Sequence, residues 1–178
     1  MPDQNLVFLL RGVNLGAHRR LPMARLREAA LKAGLDSPVT YLASGNLLAR
    51  SSQDPDAAGA ALRAGLRDGL GLRTDVIVRT ADRLARIVAD YPFPSSETRA
   101  SHILFFSEAG EPRALAALLD TPALLPEQWT MAARETFLYL PFGVARSRLA
   151  SALIAAEPRR GTMRGLRTVA ALAEMAGD

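Results

Sequence analysis

The chain has 178 residues, 49% of them apolar and 22% charged, the balance of one soluble globular domain or of two small halves sharing a core. It has no cysteine, which removes disulfide and thiolate chemistry, and its apolar runs, such as Leu6–Leu10, are far too short to cross a bilayer. Twenty-one arginines and one lysine, Lys32, face 18 acids, and the excess is uneven: residues 1–53 carry a net +4, residues 54–145 carry −3 and residues 146–178 carry +3.

The first predicted strand, Asn5–Leu10, is apolar from Leu6 onward, as expected for a strand buried on both faces or in mid-sheet. A polar, glycine-containing loop follows from Arg11 to Leu21, and Pro22 opens a helix that ends at Gly34. Val39–Ala43 and Leu47–Arg50 read as strands joined by a tight turn at Ser44-Gly45-Asn46. Asp54-Pro55-Asp56 combines a cap, a first-turn proline and a first-turn acid, so a helix starts there; Leu62, Leu66 and Leu70 give it one apolar stripe and Gly71 closes it. Thr74–Arg79 is a fourth strand, and Thr80 caps a helix with Leu84, Ile87, Val88 and Tyr91 on one face.

Up to Arg79 the order is β-α-β-β-α-β, the ferredoxin-like split unit. After the proline-punctuated connector 91–99 the pattern partly restarts. His102–Ser107 is a strand, Pro112–Asp120 a helix, and Gln128–Met131 with Glu135–Leu140 a hairpin. A helix over Arg148–Ala156 stops before Pro158, and a last one runs from about Gly165 to Ala176. The fold class is therefore α+β: two ferredoxin-like β-α-β-β-α halves, 1–90 and 100–178, with mainly antiparallel sheets and helices packed on them.

In such a unit the strand order 4-1-3-2 brings the end of the first strand and the hairpin between the second and third strands to one edge of the sheet. The loop containing Arg11, Gly12, Asn14 and Gly16 should meet the turn Ser44-Gly45-Asn46 there, with Arg19 and Arg20 arriving later in the loop. A guanidinium, two amides, a hydroxyl and glycine-opened N–H groups suit an oxyanion or a sugar hydroxyl. The alternative is that the glycines only turn the chain and Arg11 pairs with a structural carboxylate. A second basic cluster, Arg146-Ser147-Arg148 and Arg164 within Gly161–Gly165, lies in loops that precede helices, where free N–H groups attract anions; a simple Ser or Thr cap is the competing reading.

Leu9–Gly16, Leu21-Pro22-Met23, Leu26, Gly34 and Tyr41–Asn46 closely resemble the bacterial domain-of-unknown-function 1697 family. So do Val78-Arg79-Thr80, Pro92-Phe93-Pro94, Leu138–Pro141, Arg146–Leu149 and Thr162-Met163-Arg164. The resemblance spans essentially the whole chain. It implies that the Arg-Gly-x-Asn-x-Gly loop and the Ser-Gly-Asn turn are family features, and it brings no established activity. The chain departs from the family pattern at Ala17, at His18-Arg19-Arg20, at Ala43 and at Gly165-Leu166-Arg167, where the family carries an Asn-Trp-Asn stretch.

Other chemistry has little foothold. Gly12 and Gly16 form neither a dinucleotide fingerprint nor a P-loop. His18 and His102 are the only histidines, without metal-ligand spacing, so no metal or cofactor is expected. His102 opens a strand in a structural role, and no serine sits in a nucleophile elbow. The expected partner is a phosphate- or carboxylate-bearing small molecule, bound or turned over at the Arg11/Asn14/Ser44–Asn46 edge. Nucleic-acid backbone binding and a protein-interaction module are the alternatives; at 6% aromatics, a base-stacking platform has little material. With no secretory signal after Met1-Pro2-Asp3-Gln4, a cytoplasmic, non-membrane protein is expected.

Overall fold

The computed structural model describes residues 3–14, 20–94, 99–107, 126–156 and 161–177. Among them are five α-helices and two four-stranded antiparallel sheets. The chain divides into two compact units: Met1–Ile87 with Ala170–Asp178, and Val88–Val169.

The first unit follows the β-α-β-β-α-β order, with β1 (Gln4–Leu10), α1 (Met23–Lys32), β2 (Asp36–Tyr41), β3 (Asn46–Ser51), α2 (Pro55–Leu70) and β4 (Val76–Thr80), then α3 (Ala81–Ala89). The sheet order is β2-β3-β1-β4, so β1 pairs with β3 on one side and β4 on the other. That central place accounts for its apolar sequence: Leu6 to Leu10 are all fully buried. Alternate residues divide between the faces. Leu6, Phe8 and Leu10 join Leu47, Ala49, Val76 and Val78 against Leu26, Ala29 and Ala30 of α1 and Leu62 and Leu66 of α2. Asp54 caps α2 by accepting from the N–H groups of Asp56 and Ala57, and Gly71, at φ 63°, closes it through N–H bonds from Gly71 and Leu72 to Arg67 and Leu66. Thr80 Oγ1 accepts from Arg83 N at the start of α3, as its sequence predicts.

Several strand limits differ from the pattern-based reading; β4, for one, runs Val76–Thr80 rather than Thr74–Arg79. Strand β2 begins at Asp36 rather than Val39, with a bulge between these positions where Ser37 takes φ 49° and Pro38 has no N–H to give. The hairpin loop is Leu42–Gly45, and Asn46 opens β3, fully buried and opposite Tyr41.

The second unit contains β5 (Ser101–Phe106), β6 (Gln128–Met131), β7 (Glu135–Tyr139), a 3₁₀ turn at Val144–Arg146, α4 (Arg148–Ala156) and β8 (Gly161–Gly165). Its sheet order, β6-β7-β5-β8, repeats the first. Leu104, Phe106, Leu138 and Leu140 pack with Leu149, Ala150 and Leu153 of α4. The predicted helix Pro112–Asp120 lies outside the described residues. Strand β8 replaces the loop expected over Gly161–Gly165: this segment pairs with β5 along its length, Ile103 opposite Arg164 and Phe105 opposite Thr162. Helix α5, Leu166–Gly177, follows it directly.

The two edge strands β4 and β8 share a detail that sequence reading passed over. Arg79, opposite Val7, and Arg164, opposite Ile103, occupy matching places, and both are buried. Each guanidinium donates 2.8 Å to the carbonyl of the preceding residue, Val78 or Met163.

A basic cleft held by the strand-end knot

The end of β1 and the β2–β3 turn meet as the split-unit topology requires. Leu10 N donates to Gly45 O at 2.8 Å, and Asn14 Nδ2 donates to Ala43 O at 2.6 Å. Asn14 also donates to Leu21 O at 3.1 Å and accepts from Leu21 N at 2.6 Å, closing the Arg11–Leu21 loop on itself. Its φ of 56° is one that asparagine tolerates better than most residues. Asn46 Nδ2 donates to Tyr41 O at 2.8 Å and Ser44 Oγ at 3.0 Å, locking the hairpin loop. Both amide side chains thus bind the chain's own groups.

The glycines serve close approach. Gly12 and Gly45 have φ of 62° and 81°, and a Cβ on Gly45 would lie 2.4 Å from Val13 Cγ2 and 2.9 Å from Leu10 Cβ. Arg11 reaches a carboxylate, Asp75, at 3.7 Å, with both side chains partly exposed, a pair that contributes about 0–1 kcal/mol. The backbone anchors this end more firmly: Arg11 N donates to Asp75 O at 3.0 Å, and Thr74 Oγ1 donates to Arg11 O at 2.6 Å. Gly16, Arg19 and His18 lie outside the described residues.

These bonds fix two short segments, Arg20-Leu21-Pro22 before α1 and Leu72-Arg73-Thr74 before β4. The segments flank a cavity of about 590 Å³ lined by Arg20, Leu21, Pro22, Arg25, Leu70, Gly71, Leu72 and Arg73. Helices α1 and α2 run antiparallel beside it: Gly65 lies near Ala29 and Ala33, whereas Leu70 shares the cavity with Pro22 and Arg25. Arg25 pairs with Glu28 at 3.4 Å on its own helix, both side chains about half exposed. Among the described residues no ion pair holds Arg20 or Arg73. Asp68 has its carboxyl held below the usual range first by a hydrogen bond from Arg67, with a smaller contribution from the charge of Arg73. The first turn of α1 has Pro22 as its cap and no side-chain cap bond.

A second cavity of the same unit, about 470 Å³, is lined by Leu6, Leu48 and Met175 among others, with Asp3 and Arg50 paired at 3.3 Å on its wall.

The C-terminal basic residues have separate roles. Arg146, at the end of the 3₁₀ turn, and Arg148, at the start of α4, are exposed. Ser147 is buried, and its Oγ accepts from Ala150 N at 2.7 Å as a helix cap. The carboxylate of Glu127 accepts from Leu149 N at 2.9 Å, so a residue that sequence reading overlooked already supplies an anion to this helix start. Arg164 corrects the loop placement. It sits in β8, only 8% exposed, and donates to Thr162 Oγ1 at 2.7 Å; burial lowers its pKa to about 10. His102, half-buried in β5, has its pKa lowered by burial, with the Ala100 carbonyl at 3.1 Å opposing the shift. No group of three or more His, Cys, Asp or Glu able to hold a metal ion occurs among the described residues, and none of their helices is long and apolar enough to cross a membrane.

A family model described as "Protein of unknown function (DUF1697)" matches residues 4–137, three-quarters of the chain and all of the knot and the cleft. The chain belongs to this family. The domain-of-unknown-function 1697 match includes every residue that ties β1 to the hairpin. The structure also resembles that of the "conserved bacterial protein SP0830 from Streptococcus pneumoniae", with 18% identity, a TM-score of 0.82 and coverage of 99% of this chain and 100% of the other, a likeness of fold. No curated protein matches the sequence.

Proposed function

We propose that this protein binds a small phosphate- or carboxylate-bearing ligand in the cleft between the start of α1 and the end of α2. The observation that carries this reading is the convergence of Arg20, Arg25 and Arg73 on one cavity, with Arg20 and Arg73 outside any ion pair among the described residues. Arg25 is offset by Glu28 on its own helix, while Arg20 and Arg73 stand outside any ion pair among the described residues, and an anion between them relieves their mutual repulsion while taking paired N–H bonds. The Arg11–Asn14 loop and the Ser44-Gly45-Asn46 turn serve this reading as framework: they position Leu21 and Thr74, next in sequence to Arg20 and Arg73.

Titration of the protein with inorganic phosphate at low salt, followed by amide chemical shifts, tests the reading. The expected shifts concentrate on Leu21–Arg25 and Leu70–Arg73. Arg20→Ala and Arg73→Ala should each weaken binding about tenfold, the loss of one charge-assisted bond, whereas Arg63→Ala, on the exposed face of α2, should leave it unchanged. Shifts scattered over all arginine-bearing surfaces, or equal affinity in all three variants, would refute the cleft as the site.

A further inference from the structure

The cleft is larger and more apolar than an inorganic anion requires. We infer that its ligand is an amphiphilic anion, a phosphate or carboxylate carrying a hydrocarbon or aryl body, an inference that rests on the anion-binding reading above. Five of the eight lining residues, Leu21, Pro22, Leu70, Gly71 and Leu72, carry no polar side chain. Leu21 is 5% exposed, and Leu70 and Leu72 are partly buried, packed against the core between the sheet and the two helices. The cavity floor is therefore the rim of the hydrophobic core itself, backed by side chains that are already ordered.

Size points the same way. A cavity of about 590 Å³ falls in the range that holds organic ligands, whereas a bare phosphate occupies a corner of such a space and leaves the exposed parts of Leu70 and Leu72 in water. The charges sit around the apolar patch: Arg20 and Arg25 come from the α1 side, and Arg73 comes from the strand side beyond Leu72. This arrangement fits a head group gripped by guanidiniums and a body laid on leucines. A nucleic acid fits it poorly, because the lining has no aromatic side chain on which a base would stack.

The probes are inorganic phosphate, phenyl phosphate and phenol, compared on the intact protein by amide chemical shift. Phenyl phosphate is expected to bind at least about tenfold more tightly than phosphate, with additional shifts at Leu21, Leu70 and Leu72, while phenol alone does not bind at the same concentrations. Leu72→Ser should shrink the difference between the two phosphates to about threefold or less, with phosphate affinity retained; the comparison of ligands on the unaltered chain does not depend on that variant folding. Equal binding of phosphate and phenyl phosphate would overturn the amphiphile and leave the anion site standing. Binding of neither would overturn both. Phenol binding as tightly as phenyl phosphate would also overturn the inference, because the arginines would then contribute nothing to recognition.

Discussion

A single amide shows why loop composition and loop role are different questions. Asn14 uses both amide hydrogens and its carbonyl oxygen on backbone groups of Leu21 and Ala43, and Asn46 uses both of its hydrogens on Tyr41 and Ser44. Asn46 is fully buried, and losing its partners would cost about 1–3 kcal/mol, whereas the exposed Ala43 carbonyl that Asn14 holds would be solvated by water. Gly45 is the tightest point of the knot, combining a left-handed φ of 81° with a Cβ position 2.4 Å from Val13 Cγ2 and 2.9 Å from Leu10 Cβ. The backbone conformation opposes any side chain, and the clash cannot be relieved by a flexible tip. Gly45→Ala is therefore expected to destabilise the fold by about 3 kcal/mol, read as a lower urea midpoint with an unchanged slope. A loss below about 1 kcal/mol would mean that Val13 yields and that the knot is looser than its distances imply. The glycines, the asparagines and their meeting point were legible because turn chemistry and split-unit topology fix them. Their bonding was not legible: an asparagine that holds a carbonyl and one that holds a ligand have the same sequence. Arg25 and Arg73 escaped notice for a related reason, since only the antiparallel placement of α1 and α2 brings helix start and helix end to one cavity.

At the scale of elements, the helices and hairpins among the described residues were legible to within a few residues, because caps and periodicity are local. Asp54 and Gly71 bracket α2 as their chemistry demands. Strand β8 was not legible. Gly161-Thr162-Met163-Arg164-Gly165 has glycines at both ends and an arginine inside, the composition of a loop, and it becomes a strand only through pairing with β5, more than fifty residues earlier. Its counterpart β4, Val76–Thr80, carries an arginine at the same place but surrounds it with β-branched residues, so its pattern survives in sequence. Helix α2 gives a sharper test of element packing, through two of its glycines. Gly69 has nothing within 4 Å of an added Cβ, whereas a Cβ on Gly59 would lie 2.8 Å from Val78 Cγ2 on β4. Gly69→Ala should therefore stabilise by about 0.5–1 kcal/mol through helix propensity alone. Gly59→Ala gains the same propensity but forces α2 off the sheet, and it should destabilise by about 1 kcal/mol net. Opposite signs in paired thermal melts are the expected result; two stabilising substitutions would show that the α2–β4 contact is slack.

At the scale of the molecule, the first unit is assembled from both ends of the sequence. It takes residues up to Ile87 and then, from Ala170 onward, the greater part of α5. That segment brings fully buried Leu172, nearly buried Ala176 and the carbonyl of Ala176, which accepts from Asn5 Nδ2 at 2.7 Å. Met175 and Ala176 also line the 470 Å³ cavity beside Leu6 and Leu48. A chain ending at Val169 keeps every strand of the first sheet, so local pairing alone would predict little change. The burial argues otherwise. Loss of one core leucine contributes about 2–3 kcal/mol and loss of the Asn5 bond about 1 kcal/mol, a total on the order of 4 kcal/mol against a usual stability of about 5–15 kcal/mol. Native-state hydrogen exchange should find the amides of β1 and β3 markedly less protected in the truncated chain. An Asn5→Ala variant of the full chain should lose only the part due to the hydrogen bond. If the truncated chain instead kept full protection in β1, the C-terminal helix would be an appendage of the first unit, and the two-ended assembly would carry no stability.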